Sequence, residues 1–522
     1  MAFWSSPVFA RRFVQSLCLQ NAHTSPAPRL PSSVWRYPRR GMSTMQAPSI
    51  SQMSMPEWTE AFKRATVDIA KMDIHGISYE ASAQRMRDLL RTGLLKHTDL
   101  RENPERFFEA HRLLAAHSTQ TGPGFWIRFT VHYNLMAGTV LGLGTEEQVA
   151  LLDDMQERGE LGCFSLTEKL AGVNSGLIVN TIATWDEHSQ TFELNCPDRG
   201  AQKNWISQGL VADKTVVIAD LRLNGQSCGP HAFLVDLRRD GAVVPGVTLK
   251  DMGRKTVGND LDNAAIAFAN VRVPKGALLS RYADVEGGRY VQKVRGVPVF
   301  HMIGQRLFTG RVAVAQAALA FRRGLFEATQ RHADAKKCWA PEGEPVLSNV
   351  PQLKALFAEA ADKADVLERF VGKCEAKLCA YLRRNEMPDI PLTEAIAVAK
   401  VKCVEVSIDL CHRLKNEVGS YALMAGTGFE QSDFLTCCKF AEGDTRILMQ
   451  KMARDRLRLH QKQPPVGPSA EWDEETKKCN ELLMKLTEAE KCGDKQQAWD
   501  AHWVEVYELA EIIMARIMRD FA

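Results

Sequence analysis

Residues 215–237 read TVVIADLRLNGQSCGPHAFLVDL. Two runs rich in β-branched and apolar residues stand on either side of the Asn224-Gly225 pair, and this pattern is typical of short strands joined by a turn. The runs that predict strands are Thr215 to Leu221, His231 to Leu237, Ile178 to Trp185 and Ala264 to Phe268. The sequence therefore predicts a small β-barrel-like domain in the middle of the chain, over residues 161–290.

Helical periodicity flanks this β-domain on both sides, with apolar residues recurring every three or four positions over 57–160 and 291–462. The clearest helical segments are Ala81 to Leu95, Glu105 to Leu114, Phe300 to Lys336, Val350 to Arg384, Leu392 to Val418 and Thr436 to His460. We expect an α+β fold that is mostly α, with an N-terminal helical domain, the β-domain and a C-terminal helical bundle. After a Pro-rich break, residues 463–522 form a charged helical tail, either an oligomer contact or a solvated cap.

The composition is that of an ordinary globular protein. Of the 522 residues, 45% are hydrophobic and 25% charged, which excludes a disordered chain and a collagen-like repeat. The formal net charge is only +3, and six arginines lie before Glu57 in a stretch without acidic residues. The remainder of the chain is net negative, so no nucleic-acid partner is expected. The thirteen cysteines follow no regular spacing, and we predict reduced thiols and no metal site.

Residues 1–56 have the Arg-rich, Ser-rich composition of an organelle transit peptide, and a disordered extension is the alternative. This composition predicts a mitochondrial location. The chain ends in Arg519-Asp520-Phe521-Ala522, which is not the S-K-L type of peroxisomal address, and a peroxisomal location is the second possibility. No apolar run approaches the roughly 18 residues of a membrane helix, so no membrane span is expected.

Three short segments predict the function: GCFSLTE at 162–168, KNWISQG at 203–209 and FAEGDT at 440–445. They resemble the flavin-site and catalytic motifs of the acyl-CoA dehydrogenase and acyl-CoA oxidase superfamily. The second is similar to the family's K-x-W-I-T-N-G, and the third to the oxidase motif Y-E-G-D-N. The resemblance runs from about Arg101 to His460 and favours the oxidase branch.

The resemblance implies FAD as the cofactor. Thr167 would hydrogen-bond the flavin ring, Trp205 would cover its edge, and Ser207 would reach the nitrogen that receives hydride. Leu166 would lie against the ring or the acyl thioester. The other cofactor contacts that the resemblance implies are Lys336, Trp339, Gln352, Gly426, Gly428 and Asp444. Because Lys336 and Trp339 would reach the cofactor of a neighbouring subunit, a homodimer or homotetramer is expected.

Glu442 is the catalytic base that the resemblance implies. Forming a 2-enoyl thioester removes a proton from the carbon next to the carbonyl while a hydride leaves the neighbouring carbon. A carboxylate can take that proton efficiently only if burial raises its basicity. A lone glutamate on a helix usually faces solvent, but the motif around Glu442 favours the catalytic role. Arg311 matches a family arginine close to the base and is assigned to the substrate site.

We therefore expect a flavin-dependent oxidoreductase of fatty acid β-oxidation. It would convert acyl-CoA thioesters to trans-2-enoyl-CoA and pass the electrons to oxygen, giving hydrogen peroxide. An acyl-CoA dehydrogenase that passes electrons to an electron-transfer flavoprotein is the first alternative. A non-catalytic subunit that retains the flavoprotein fold is the second, because a fold alone does not fix function.

Overall fold

The computed structural model describes residues 50–66, 78–173, 175–294, 306–463, 470–491 and 493–521. Residues 1–49, most of the expected transit segment, lie outside the described residues, as does the start of the helix predicted from Phe300. Within the described ranges, no helix is both long enough and apolar enough to cross a membrane.

Helices make up the described chain before residue 160. They are α1 (Met55–Thr66), α2 (Tyr79–Thr92), α3 (Asp99–Glu102), α4 (Pro104–Ala116), α5 (Ser118–Thr121), α6 (Gly124–Thr130), α7 (Gly138–Leu143) and α8 (Glu146–Arg158). A π-helical segment, Val131–Ala137, joins α6 to α7. The helix predicted over 81–95 ends earlier, at Thr92, because Gly93 adopts φ 65° and closes it with a left-handed cap.

The β-domain follows α8. Its strands are β1 (Gly162–Ser165), β2 (Ile182–Asp186), β3 (Thr191–Asn195), β4 (Lys203–Ser207), β5 (Lys214–Leu223), β6 (Gln226–Asp236), β7 (Arg238–Arg239), β8 (Ala242–Val243), β9 (Val247–Asp251), β10 (Asn263–Phe268), β11 (Val271–Pro274), β12 (Ala283–Glu286) and β13 (Arg289–Gln292). The largest sheet has the order β1-β5-β2-β3-β11, with β6 also paired to β5, and β4-β10-β9 form a second sheet. The strand predicted over 178–185 is regular only from Ile182.

The C-terminal helices are α9 (Arg306–Ala335), α10 (Pro351–Arg384), α11 (Ile390–Glu417), α12 (Asp433–Phe440), α13 (Thr445–Lys462), α14 (Ala470–Glu490), α15 (Lys495–Ala501) and α16 (Trp503–Asp520). The single helix predicted over 436–460 is wrong. It is broken between Phe440 and Thr445, where Glu442 and Gly443 take φ values of 58° and 96°. Left-handed backbone cannot continue an α-helix, so α13 starts anew with the Asp444 carboxylate capping the backbone N–H of Arg446.

Two hydrophobic clusters hold these parts together. One runs through the N-terminal and C-terminal helices, from Trp58 and Phe62 to Leu509 and Ile513. The other fills the β-domain around residues such as Phe233. The tail predicted over 463–522 contributes buried side chains to the helical cluster. It therefore packs as part of the helical body rather than as a solvated cap.

Candidate active site

Glu442 occupies the break between α12 and α13. Its backbone φ of 58° lies in the left-handed region, which is costly for a residue with a Cβ atom and persists only where surrounding contacts hold it. The Arg311 guanidinium on α9 donates from Nε to the Glu442 carbonyl at 3.1 Å. This bond holds the strained turn from the side of α9, so that the Glu442 side chain projects into the protein and is only 9% exposed.

The carboxyl group of Glu442 meets two other elements, the π-helical segment and α9. Asn134 in the π-helical segment donates from Nδ2 to Oε1 at 3.1 Å. Gly310 on α9 leaves room for the group, because a Cβ atom built there would lie 2.2 Å from the carboxyl carbon. Among the described residues, the buried Oε2 has no hydrogen-bond partner. An unpaired oxygen on a buried carboxyl is expensive in a merely structural role and available for a reacting group.

Burial raises the pKa of Glu442 to about 7, against the lowering effects of Arg311, the Asn134 hydrogen bond and Lys400. Burial also lowers the pKa of Arg311 to about 10, against the attraction of Glu442, so the guanidinium stays charged at neutral pH. The result is a carboxyl group that releases and accepts a proton near neutral pH. That is the strength required of a general base.

Lys400 on α11 lies fully buried under the same turn. Its Nζ donates to the carbonyls of Lys439 at 2.7 Å and Gly443 at 2.8 Å. Burial lowers the pKa of this amine to about 7. Lys400 thus ties the last turn of α12 to the residue that follows Glu442, and it places a second basic group close to the carboxyl.

The π-helical segment also connects the Glu442 turn to the β-domain. His132 lies two residues before Asn134, and its Nδ1 accepts from the backbone N–H of Gly162 at 3.0 Å, at the start of β1. Its Nε2 therefore carries the proton and donates to Nε2 of His97 at 2.8 Å. Burial lowers the pKa of both imidazoles, of His97 to about 4, so both stay neutral at pH 7.

On the β-domain, Thr167 and Trp205 lie on neighbouring strand ends, because the backbone N–H of Asn204 donates to the Thr167 carbonyl at 2.8 Å. Thr167 is exposed, and Trp205 is 57% exposed with a φ of 59°. Leu166 packs partly against the helical core. The Ser207 hydroxyl accepts from Asn263 Nδ2 at 3.1 Å. The first two segments of the sequence motif therefore form one surface, with an indole presented to solvent.

A buried ion pair supports this surface. Lys203 Nζ lies 2.9 Å from Glu168 Oε1, with both side chains fully buried, and also donates to the Ile218 carbonyl at 2.7 Å. The Glu168 carboxylate accepts further bonds from Asn180 N–H and from the N–H and hydroxyl of Thr181. With so many partners the pair is well satisfied, and it fixes the strand ends that carry Thr167 and Trp205.

The other candidate cofactor residues lie elsewhere on the C-terminal helices and loops. Lys336, Trp339 and Gln352 are exposed, and Trp339 reaches 82% exposure. Gly426 and Gly428 have φ values of 81° and 92°. Their N–H groups donate to the two carboxylate oxygens of Glu430, at 2.7 and 2.9 Å. Asp444 pairs with Arg446 at 2.8 Å in addition to capping α13.

The structure thus brings Glu442 together with Arg311, and Thr167 with Trp205 and Leu166. Three residues that contact the Glu442 turn lie outside the sequence motifs: Asn134, Lys400 and Gly310. Asn134 had a usable signal, since it is an uncharged polar residue in the apolar stretch FTVHYNLMAGTVLGL, residues 129–143. Lys400 had one too, as a lysine within the run AIAVAKV.

Curated proteins similar in sequence to this chain include acyl-CoA oxidases. One from Kluyveromyces lactis is 29% identical over 363 residues, covering 64% of this chain and 48% of that protein. Acyl-coenzyme A oxidase 3, peroxisomal, from Arabidopsis thaliana is 32% identical over 250 residues, covering 46% of this chain and 36% of that protein. The chain therefore spans about half the length, or less, of these curated relatives. No family model matches it.

Solved structures share the fold. Acyl-CoA oxidase-2 of Caenorhabditis elegans, described as bound with FAD, ascaroside-CoA and ATP, has a TM-score of 0.73 at 19% identity, covering 89% of this chain and 75% of that one. Butyryl-CoA dehydrogenase of Megasphaera elsdenii has a TM-score of 0.59 at 20% identity, covering 78% and 100%. The chain is thus similar to acyl-CoA oxidases in sequence and to acyl-CoA oxidases and dehydrogenases in fold. The resemblance drawn from the three sequence segments and the α+β fold class are confirmed.

Within this superfamily, the two solved neighbours differ in how much of this chain they match. The dehydrogenase is matched over its whole length, and the oxidase over a larger share of this chain. These two structural likenesses concern the fold, and the curated relatives reported above are named acyl-CoA oxidases.

Proposed function

We propose that the chain is an FAD-dependent acyl-CoA oxidase. It would convert an acyl-CoA thioester to trans-2-enoyl-CoA and pass the electrons to oxygen, giving hydrogen peroxide. One observation carries the proposal: Glu442 is buried on a strained turn, has a pKa of about 7 and holds Oε2 without a described partner. In a non-catalytic subunit with the same fold, a buried carboxyl with an unpaired oxygen would cost stability without taking part in a reaction.

The chemistry assigned to Glu442 is the removal of one proton. Oε2 takes the proton from the carbon next to the thioester carbonyl, and the electron pair of that C–H bond becomes the new C–C π-bond. Oε1 stays bonded to Asn134 during the transfer. Arg311 keeps a positive charge beside the turn, which favours the carboxylate form in which Glu442 can act as a base.

The residues of the β-domain fit FAD. An indole is usually buried, yet Trp205 is more than half exposed, at a backbone φ that is unfavourable for a non-glycine residue. Thr167 is exposed beside it and offers a hydroxyl. An aromatic face with an adjacent hydrogen-bonding group suits a flat polar ring system, and Thr167, Trp205 and Ser207 would hold it. When bound, FAD supplies the acceptor for the hydride that leaves the second carbon.

We also propose a homodimer, or a tetramer built from it, in which one subunit completes the cofactor site of the other. The support is the position of Lys336 and Trp339, which are exposed at and beyond the end of α9. An indole with 82% of its surface exposed is a suitable anchor for a partner subunit. Sedimentation of the FAD-loaded protein measures this association directly.

For location, we propose the peroxisome. The Arabidopsis relative is named peroxisomal, and this supports the alternative over the mitochondrial prediction. The mitochondrial prediction keeps only the composition of residues 1–56 in its favour. Imaging the full chain in cells, with a fluorescent tag placed first at one end and then at the other, distinguishes the two compartments.

The proposed function is tested with Glu442→Gln. The amide is nearly isosteric but cannot accept the proton. We expect the variant to retain FAD, while saturated acyl-CoA bleaches its flavin absorbance about 10²–10⁴-fold more slowly than in the wild type. Glu488→Gln is the matched control, because that carboxylate is 73% exposed and the change should leave bleaching unaltered.

The same samples identify the electron acceptor. In air, with no other acceptor, an oxidase forms hydrogen peroxide in amounts equal to the acyl-CoA consumed. Reduced flavin that persists in air would instead indicate a dehydrogenase and an electron-transfer flavoprotein as its partner. Wild-type flavin that no acyl-CoA bleaches would indicate the non-catalytic alternative.

A further inference from the structure

We propose that Asn134 is a positioning residue for the base: its amide, oriented by the Thr309 hydroxyl, holds the Glu442 carboxyl by Oε1 and sets the pH at which Oε2 can accept a proton. This inference rests on the proposed function. It adds to the site a residue from the N-terminal helices, about 300 positions before the base in the sequence.

The orientation of the Asn134 amide follows from its two bonds. Thr309 Oγ1 donates to Asn134 Oδ1 at 2.6 Å, and Asn134 Nδ2 donates to Glu442 Oε1 at 3.1 Å. A hydroxyl can donate to the amide oxygen but the carboxylate cannot, so the amide must turn its N–H toward Glu442. All three side chains are buried, which excludes competition from bulk water and strengthens the chain of bonds.

The backbone around Asn134 explains why this amide can reach the carboxyl. Asn134 lies in the middle of the π-helical segment Val131–Ala137, whose wider turn displaces side chains from the positions they would take in an α-helix. Such segments occur frequently at functional sites. Two residues earlier, His132 anchors the segment to Gly162. Thr309 is the neighbour of Gly310, the residue that leaves room for the carboxyl, so one turn of α9 contributes both features.

In the part of the chain that the structure describes, the charged groups that face Glu442 from outside its own turn come from α9 and α11. Arg311 on α9 and Lys400 on α11 both stabilise the carboxylate, and neither bonds Oε1 or Oε2. Asp444, on the same turn, is neutralised by Arg446. His132, beside Asn134 in the π-helical segment, is neutral. Among the described residues, Asn134 is therefore the group that hydrogen-bonds one carboxyl oxygen of Glu442, and the other oxygen has no partner.

The test compares Asn134→Leu with the wild type, and its first measurement is the rate of flavin reduction by acyl-CoA as a function of pH. Loss of the N–H donor disfavours the carboxylate and raises the pKa of Glu442. The acid limb of the profile should therefore move upward by about one pH unit, so that reduction becomes about tenfold slower well below that pH. At high pH, where Glu442 is ionised in both proteins, the rates should converge to within a few fold.

The second measurement does not depend on turnover. The carboxyl-carbon NMR resonance of Glu442, assigned by its loss in Glu442→Gln, is titrated in the FAD-loaded protein without substrate. Its midpoint should rise by the same amount in Asn134→Leu. Thr309→Val should shift it in the same direction by less, because the amide remains but loses its orienting partner. Thr309→Ser should restore the wild-type midpoint.

Thr139→Val is the matched control. Thr139 is buried on α7, directly after the π-helical segment, and its hydroxyl donates to the Leu135 carbonyl at 2.6 Å. The change removes one buried hydrogen bond without touching Glu442, and both midpoints should stay at the wild-type value.

Unchanged midpoints in Asn134→Leu would overturn the inference while leaving the proposed function intact. If acyl-CoA fails to reduce the wild-type flavin, the proposed function fails, and the titration still decides whether Asn134 sets the pKa of Glu442.

Discussion

Gly310 has no side chain at the point where α9 passes the Glu442 carboxyl. A Cβ atom there would lie 2.2 Å from the carboxyl carbon, so Gly310→Ala must displace the group by an ångström or more. We expect flavin reduction by acyl-CoA to fall about 10²-fold, because misplacement on this scale is costly to catalysis, while FAD stays bound. Rapid-mixing absorbance measures the rate.

Gly324→Ala provides the comparison on the same helix. Its nearest neighbour outside the local backbone is the Ala116 carbonyl, at 3.4 Å, which is ordinary contact. Alanine is favoured over glycine in a helix interior by roughly 0.5–1 kcal/mol, so this variant should keep its rate and gain slight stability. Equal rates in the two variants would remove the steric argument for Gly310.

At the scale of single residues, the sequence singled out Glu442, the proposed base, but not the residues that surround it. Glu442 was recognisable because the residues that define its motif are adjacent in the chain. Asn134, Gly310 and Lys400 reach the same turn from three separate helices. Their roles depend on packing between elements, which one sequence without a structure does not specify. Buried asparagines, helix glycines and lysines are also common at positions that have no part in function.

At the scale of elements, the break between α12 and α13 carries Glu442, and Lys400 stabilises that break by two hydrogen bonds. Lys400→Met keeps the volume but leaves the Lys439 and Gly443 carbonyls without their Nζ donor. We expect the free energy of unfolding to fall by about 2 kcal/mol or more, as for buried polar groups that lose a partner. Lys402 lies two residues further along α11, and Lys402→Met removes an exposed ion pair with Glu511. We expect this control to lower the free energy of unfolding by about 1 kcal/mol or less.

Urea unfolding of both lysine variants measures the difference. Similar urea midpoints for Lys400→Met and the wild type would mean that the Lys400 amine does not stabilise the turn. The break was missed in the sequence because FAEGDT contains no proline, and its apolar neighbours continue the helical period on both sides. The left-handed conformation of Glu442 is imposed by tertiary contacts with Arg311 and Lys400, and local sequence preferences do not predict it.

At the scale of the whole molecule, the spacing of apolar residues changes from a helical to a strand pattern and back again. That change was enough to predict helices, strands and helices in that order. The pairing of β1 and β2 with β5 in parallel was not predictable, because it joins strands separated by long connections.

The packing of the C-terminal tail, residues 463–522, was not predictable from the sequence either. Glu475 on α14 is fully buried between Arg456 on α13 and Arg516 on α16, at 3.0 and 2.6 Å. A charged composition suggested solvation, but these charges are satisfied internally.

The buried carboxyl of Glu442 also links the stability of the protein to proton uptake. Its pKa rises from an ordinary 4.5 to about 7 on folding, so between these pH values the folded chain binds more protons than the unfolded chain. This contribution to stability is therefore full below about pH 4.5 and is lost as the pH rises toward 7, by about 3 kcal/mol in all.

Glu442→Gln lacks this ionisable group. Its urea midpoint, compared with that of the wild type, should therefore rise as the pH increases from 5 to 8. A constant difference across that range would contradict the linkage. Proton uptake during folding is thus the thermodynamic counterpart of the basicity that the role proposed for Glu442 requires at neutral pH.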